Sequence, residues 1–242
     1  MVEAICRSFL WTGSSTVSKK ALVSWEKICL PQGVGGLNVI NLVFWNRAAV
    51  AKHLWTVAKK KDCLWIKWIH TFYIKHHTLE QMSIPKNAAW VVRKILESRK
   101  FIGDVQGIQS DLMSKLDQLQ KGNSFSIRKL YRLQFPQLPK VPWKSIVLQP
   151  KMHPGFKFIL WLALQRRLAT VDTLLKFSVQ IPQQCILCKL TDETFDHLFF
   201  ECSVTNESWS RLLKWLGHCK TIRDWQSEVA WISHIATKKS GH

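Results

Sequence analysis

Four potential metal ligands within a short stretch place the strongest constraint on how this chain folds. Cys185 and Cys188 are separated by two residues, His197 follows after eight more, and Cys202 after a further four. A two-residue gap brings two thiolates to one ion through a tight turn, and a four-residue gap lets a helical turn and its exit supply two more ligands. Three thiols and one imidazole suit tetrahedral zinc. The spacing predicts one Zn²⁺ ion in a closed CCHC site, which leaves no position for a catalytic water and makes the site structural.

The residues around this set agree with a small metal centre. Asp192, Glu193 and Asp196 lie close to His197 in the chain, and we expect one of these carboxylates to orient the imidazole. An apolar cover is predicted from the residues that follow, which are Leu198, Phe199 and Phe200. The alternative is a set of core cysteines with a hydrogen-bonded histidine, which requires four ligand residue types to fall in register within 18 residues.

Apolar residues recur at helical spacing along most of the chain, so the predicted fold class is mainly α. It consists of a helical N-terminal connector region and a small helical zinc-binding domain that contains the CCHC site. Short hairpins are expected at most near Trp11 and near the cysteines. Helices are predicted at 19–28, 38–60, 63–73, 88–100, 126–135, 156–168, 170–175, 203–216 and 222–235.

Three prolines, Pro136, Pro139 and Pro142, form a stiff connector and mark the best candidate for a domain boundary. Around this connector the chain is divided into four predicted segments. They are a helical region at 1–135, the proline-rich connector at 136–142, a zinc-binding domain at 143–216, and a C-terminal helix and tail at 217–242.

The chain is strongly basic, with 35 Lys and Arg against 16 Asp and Glu and a formal net charge of +19. Such a surface attracts polyanions because each neutralised phosphate releases counterions, so nucleic acid is the expected partner. A solvated basic face without a partner is the alternative. No apolar run reaches the roughly 18 to 20 residues of a membrane-spanning helix, and no secretory signal is recognisable, which predicts a soluble intracellular protein. The residues predicted to contact nucleic acid are Lys19, Lys20, Lys59, Lys60, Lys61, Lys75, Arg166, Arg167, Lys214 and Lys220.

Further landmarks accompany the metal ligands. They are Trp143, Phe158 to Trp161, Thr170, Cys185, Cys188, Glu193, Thr194, His197, Leu198, Phe199, Cys202 and Trp209. This series resembles the zinc-binding region at the C-terminus of plant LINE-type (non-LTR) retrotransposon reverse transcriptases. Residues 9–13, 23–42, 46–55 and 64–69 look like the stretch that joins the polymerase thumb to that region, and residues 122–131 resemble the family's next landmark. The chain departs from the family pattern at 153–155 and after Leu216.

The resemblance implies a module that grips template RNA or target DNA in the nucleus, through basic side chains on phosphates and aromatic side chains on unpaired bases. Polymerase chemistry needs paired aspartates that hold two metal ions, and the sequence contains no Asp-Asp pair. We therefore predict no catalytic residues and no enzyme activity. One alternative is a protein-interaction scaffold that uses Trp45, Trp55, Trp65 and Trp68 to meet the polymerase domain or another protein. The other is a retroelement relic without a selected role.

Overall fold

The computed structural model describes residues 2–18, 21–104 and 111–238, and these are mainly α-helical, as predicted. The helices are α1 (Val2–Thr12), α2 (Trp25–Cys29), α3 (Leu42–Ala58), α4 (Leu64–Ile69), α5 (Trp90–Gly103), α6 (Leu112–Gln118), α7 (Ile127–Leu133), α8 (Lys144–Val147), α9 (Pro154–Leu164), α10 (Val171–Leu175), α11 (Ser203–Trp215) and α12 (Trp225–Lys238). A 3-10 turn lies at Gln32–Val34, and π-helical turns lie at His70–Ile74 and His197–Glu201.

The N-terminal region differs most from the prediction. Trp11 lies in α1 and not in a hairpin, and the prediction that short hairpins occur at most near Trp11 and the cysteines is wrong, because two short strands pair at 120–125. The helix predicted at 19–28 begins only at Trp25, where the Ser24 side chain accepts a hydrogen bond from the Lys27 N–H and caps the first turn. The prediction at 19 and 20 lies outside the described residues. Helices α1, α6 and α8 were not predicted, and α6 and α8 have only seven and four residues, fewer than the roughly 11 from which a helical repeat is recognised.

One short hairpin joins α6 to α7. Strand β1 (Gln120–Lys121) pairs antiparallel with β2 (Ser124–Phe125). Gly122 adopts a φ of 58° in the intervening turn, a conformation that glycine reaches without steric cost. Ser126 then caps α7 by accepting a hydrogen bond from the Lys129 N–H, as the sequence predicts.

The chain divides into two compact units. The middle unit comprises residues 39–138, and the terminal unit comprises residues 1–38 and 139–242. One boundary, between 138 and 139, falls within the proline-rich segment predicted at 136–142. The other falls between 38 and 39, inside the predicted segment 1–135. The N-terminal residues therefore belong to the same compact unit as the metal ligands.

The core of the middle unit is built around α3, which packs against α5 and α7. Ala48, Ala51 and Leu54 on α3 are fully buried, and the small alanines let neighbouring helices approach closely. Asn41 fixes the start of α3, because its side-chain oxygen accepts a hydrogen bond from the Phe44 N–H. Its own N–H donates to the hydroxyl of Tyr131 on α7 at 3.0 Å. This unit is therefore held by an apolar interior and by a buried polar link between the start of α3 and α7.

In the terminal unit, a glycine-rich loop holds α9. The indole N–H of Trp161, a fully buried residue, donates to the Gly35 carbonyl at 2.8 Å, and Gln165 donates to the same oxygen at 2.7 Å. Gly36 has no room for a side chain, since a Cβ there would lie 1.9 Å from the Leu30 carbonyl oxygen. Residues 153–155, where the sequence departs from the family pattern, form the start of α9. The His153 side chain accepts a hydrogen bond from the Gly155 N–H there.

None of the helices in the described part of the chain is long and apolar enough to cross a lipid bilayer.

Candidate metal centre

Cys185 and Cys188 lie on a tight turn whose backbone is held at both ends. The Cys185 N–H donates to the Thr191 carbonyl at 2.8 Å, and the Lys189 N–H donates back to the Cys185 carbonyl at 2.9 Å. Lys189 has a φ of 58°, which turns the chain sharply after the second cysteine. Residues 184 and 192 form an isolated antiparallel bridge behind the turn, and this bridge is the only hairpin-like feature at the predicted site.

His197 and Cys202 come from the two ends of the π-helical turn His197–Glu201. The Cys202 N–H donates to the His197 carbonyl at 2.7 Å, which closes a wider loop than an α-helical turn. Cys202 is also the N-cap residue of α11, and its carbonyl accepts from the Asn206 N–H at 2.8 Å. The four-residue gap thus brings the imidazole and the third thiol to one side of the same turn.

The four predicted ligands converge. One ligand atom from each of Cys185, Cys188, His197 and Cys202 lies within 4.8 Å of the others, and Cys188 Sγ is 3.3 Å from His197 Nε2. Zinc with Zn–S bonds of about 2.3 Å separates the sulfurs of a tetrahedral site by about 3.8 Å, so the cluster fits one such ion with small adjustments. Cys185 and Cys202 are buried, whereas the other two are half-buried. The predicted cofactor, one zinc ion, agrees with both the donor set and its spacing.

Local hydrogen bonding favours the thiolate form of Cys188. A hydrogen bond from the Leu190 backbone N–H, with further contributions from the side chains of His197 and Cys185, lowers the pKa of the Cys188 thiol to about 6. The thiolate is the form that binds zinc, and it therefore predominates here at neutral pH.

Two of the three acidic residues near His197 form hydrogen bonds with groups other than the imidazole. Thr191 Oγ1 lies 3.3 Å from both ring nitrogens of His197. Asp196 instead forms two hydrogen bonds with the Arg166 guanidinium, at 2.6 and 2.9 Å, and Glu193 accepts from the Val171 N–H at 3.2 Å. The structure therefore places a threonine hydroxyl where the sequence predicts a carboxylate. The carboxylates tie the metal-binding loop to the ends of α9 and α10.

An aromatic cluster packs beside the metal centre. Phe195, Phe199 and Trp225 form a triangle in which each pair of ring centroids is 4.8 Å apart. Phe200 lies 5.7 Å from Trp225 and 6.0 Å from Trp209 on α11. The predicted apolar cover of the metal site thus includes Phe199 and Phe200, and its centre is a tryptophan that the sequence analysis placed outside the zinc-binding domain.

Residues after 216 are tied to the metal-binding segment by a buried carboxylate. Glu228 on α12 is fully buried and accepts hydrogen bonds from the Trp209 indole at 3.1 Å, the Lys220 ammonium at 2.5 Å and the Arg223 N–H at 3.0 Å. Burial raises the pKa of this carboxyl, but the three donors outweigh burial and hold the pKa below its ordinary value. Helix α12 also packs against α8. A single acidic residue in a helix gives no sequence signal for such a role, so the link was missed.

The lysines and arginines predicted to contact nucleic acid divide into three groups. Lys19 and Lys20 lie outside the described residues. Four have internal partners: Lys59 pairs with Asp117, Lys61 lies over the Trp55 ring, Arg166 pairs with Asp196, and Lys220 pairs with Glu228. Lys60, Lys75, Arg167 and Lys214 are exposed. Their contacts with nucleic acid stay predictions, and the exposed group is the better placed to make them.

The segment that carries the four predicted ligands is similar in sequence to a known family. Residues 125–209 match the family model described as zinc-binding in reverse transcriptase. These residues are therefore similar to the zinc-binding region of reverse transcriptases. The match begins in the β1–β2 hairpin and ends in α11, so it contains all four predicted ligands. The family model describes a zinc-binding region, and no polymerase catalytic domain is matched.

Two proteins of Arabidopsis thaliana are similar to parts of the chain. One is named as a ribonuclease H protein and is 36% identical over 64 residues, which cover 26% of this chain and 10% of that protein. The other is an uncharacterised mitochondrial protein that is 23% identical over 95 residues, which cover 39% of this chain and 62% of that protein. The chain thus spans less than two thirds of either relative. No solved structure matches the chain at a significant level.

Proposed function

We propose that this chain is a non-catalytic, nucleic-acid-binding module related to the C-terminal part of a plant LINE-type retrotransposon reverse transcriptase. It holds template RNA or target DNA through basic and aromatic side chains, and the zinc ion stabilises the fold. The observation that carries the proposal is a net charge of +19 on a chain that includes a reverse-transcriptase zinc-binding region. Phosphates are the natural partners of so large a positive charge.

The non-catalytic role is supported by the chemistry of the metal centre. Four protein ligands complete a tetrahedral zinc site, which leaves no position for an activated water. The sequence also lacks the Asp-Asp pair expected of a polymerase. The proposed place of action is the nucleus, where target-primed integration occurs, and no membrane is involved.

A scaffold role is the second candidate, and exposed aromatic side chains favour it. Trp45, Trp65 and Trp68 are each about two-fifths exposed, as a docking surface requires. Trp55, the fourth member of the predicted stripe, is buried, and its indole donates to Gln120. It belongs to the core and is removed from the surface candidates.

The test is binding of the full, zinc-loaded chain to labelled single-stranded RNA, single-stranded DNA and duplex DNA at 50 and 200 mM salt. We expect dissociation constants in the micromolar range or below. About five phosphate contacts on a single strand predict a roughly 100-fold loss of affinity between the two salt concentrations. Absence of binding at low salt would overturn the proposal, and binding that salt does not weaken would favour the scaffold role.

A further inference from the structure

The positive charge is distributed unevenly between the metal centre and the middle unit. Residues 185–207 contain five acidic residues and one lysine. The middle unit contains 17 Lys and Arg against six Asp and Glu, so it carries +11 of the net charge in 100 residues. A polyanion is therefore repelled by the chain segment that holds the metal ligands and attracted by the middle unit.

The middle unit also contains a groove of suitable size for a ligand. Its walls are formed by α3, α4 and α5, and its volume is about 780 Å³. This volume lies within the range of about 300 to 1,000 Å³ that is typical of ligand sites. Val50 and Ile95 contribute apolar lining, and two tryptophans, Trp65 on α4 and Trp90 on α5, line the groove as well. The groove can accept a flat, apolar face.

The two tryptophans have large exposed surfaces. Trp90 is 71% exposed and Trp65 is 38% exposed, although an indole side chain gains several kcal/mol of stability from burial. His53 on α3 meets the Trp65 ring edge to face, with the ring centroids 6.0 Å apart. This contact supports the indole from one side. Exposed indoles in a groove are the usual surfaces on which unpaired bases stack.

Basic side chains of the same groove lie beside these rings. Arg47 on α3 places its guanidinium 5.7 Å from the Phe101 ring centroid, and Lys94 on α5 pairs with Glu97 at 2.7 Å. Glu97 is the one acidic residue among those that line the groove in the described structure, and its charge is offset by Lys94. The lining therefore keeps the positive charge of Arg47, and this charge complements a phosphate backbone.

We propose that the groove between α3, α4 and α5 binds unpaired bases of a single-stranded nucleic acid. Trp65 and Trp90 stack on the bases, while Arg47 contacts the phosphates. The alternative occupant is an apolar segment of a protein. The net charge of the middle unit favours the nucleic acid, because an apolar segment gains nothing from a charge of +11. This inference rests on the proposed function and assigns its binding site to the middle unit rather than to the metal centre.

The test compares two labelled probes on the full, zinc-loaded chain. One probe is oligo(U), and the other is an abasic oligonucleotide of the same length, which keeps the phosphates but has no bases. The variant is the double substitution Trp65→Ala and Trp90→Ala. The matched control is Trp215→Ala on α11, which removes an indole that is 81% exposed in the terminal unit.

For the wild-type chain we expect tighter binding of oligo(U) than of the abasic probe. Stacking on one tryptophan corresponds to about 5- to 150-fold in affinity, so the double variant should lose at least about 10-fold for oligo(U). Its affinity for the abasic probe and its salt dependence should not change. The Trp215→Ala control should bind both probes as the wild type does.

The outcomes separate the groove from the general function. If the wild type binds oligo(U) and the double variant binds it equally well, the groove assignment is overturned while the proposed function stands. If the wild type binds neither these probes nor duplex DNA at low salt, the proposed function fails, and the groove assignment fails with it. If it binds duplex DNA alone, only the groove assignment is overturned. If the double variant loses self-association in sedimentation but keeps its preference for oligo(U), the groove is a protein-docking surface and the inference is wrong.

Discussion

The middle unit and the terminal unit are stabilised by different means. In the middle unit, α3, α5 and α7 bury a continuous apolar core that includes Leu54, and the surface carries a large excess of positive charge. In the terminal unit, helices and loops are joined by specific polar contacts, such as those of Gly35 with Trp161 and of Glu228 with Trp209. A potential metal site adds further cross-links. The terminal unit therefore depends on individual groups, whereas the middle unit depends on total buried area.

Because of this difference, we expect the metal centre to contribute to stability and the surface of the middle unit to contribute to binding. The metal centre lies in an acidic segment with most of its polar groups engaged in internal hydrogen bonds, which suits a structural role. The middle unit supplies its own core and leaves aromatic and basic side chains on its surface. Removing a surface side chain should change binding there with little effect on folding.

Removal of zinc should have the largest effect and should act on the terminal unit alone. Structural zinc contributes about 10 to 16 kcal/mol in zinc-finger peptides, so chelation or Cys202→Ser should unfold the residues around α9, α11 and α12. Hydrogen exchange of each peptide measures this loss. Amides of α3 and α5 should keep their protection, and an equal loss there would show that the two units do not differ as described.

Truncation of Leu54 tests the core of the middle unit. Leu54 is fully buried on α3, so Leu54→Ala should lower the free energy of unfolding by about 2 to 5 kcal/mol. Zinc stoichiometry should stay at one ion per chain. The matched control is Leu64→Ala, since Leu64 is 85% exposed and its loss should change stability by less than about 0.5 kcal/mol. Denaturant titration compares the two, and similar values for both would contradict this description of the core.

Loss of the Glu228 carboxylate tests whether α12 belongs with the metal-binding segment. Glu228→Gln keeps the shape but weakens three hydrogen bonds and leaves Lys220 without its charged partner, which should cost about 2 kcal/mol. Hydrogen exchange should rise in α11 and α12 together.

The matched control for this substitution is Glu207→Gln. Glu207 forms an exposed ion pair with Arg211 at 2.6 Å, one helical turn away, and its loss should cost less than about 0.5 kcal/mol. If Glu228→Gln affects α12 but leaves α11 unchanged, the link between the two helices is wrong.

The substitution Lys189→Gly should have the smallest effect on stability, and it should stabilise the chain whereas the other substitutions destabilise it. Lys189 has a φ of 58° in the turn after Cys188, and glycine adopts this conformation without the cost of roughly 1 kcal/mol that a side chain incurs. Lys189→Gly should therefore raise stability by a few tenths of a kcal/mol after the entropy of the unfolded glycine is counted. Thermal unfolding of the zinc-loaded chain measures the change, and a clear loss of stability would mean that the lysine side chain contributes a contact of its own.

Local signals in the sequence were sufficient for most helices and for the four predicted ligands. Ser126 caps α7 as predicted, because a cap is a contact between residues three apart in the chain. The ligand prediction likewise depends on spacing within 18 residues, and the structure brings Cys185, Cys188, His197 and Cys202 together. The short α6 and α8 were missed because so few residues show no clear apolar repeat, whereas α1 was missed although its apolar residues recur at helical spacing.

The sequence by itself determined the mainly helical class, the zinc-ligand set and the large positive charge, because each depends on residue identity or on short-range spacing. Only the tertiary structure decided that residues 2–38 join the metal-binding unit, that Arg166 serves Asp196, and that a buried Glu228 holds α12 in place. It also decided that Trp55 is core while Trp65 and Trp90 line a groove. These features depend on contacts between residues far apart in the chain, and a spacing pattern carries no information about which distant side chain will lie opposite.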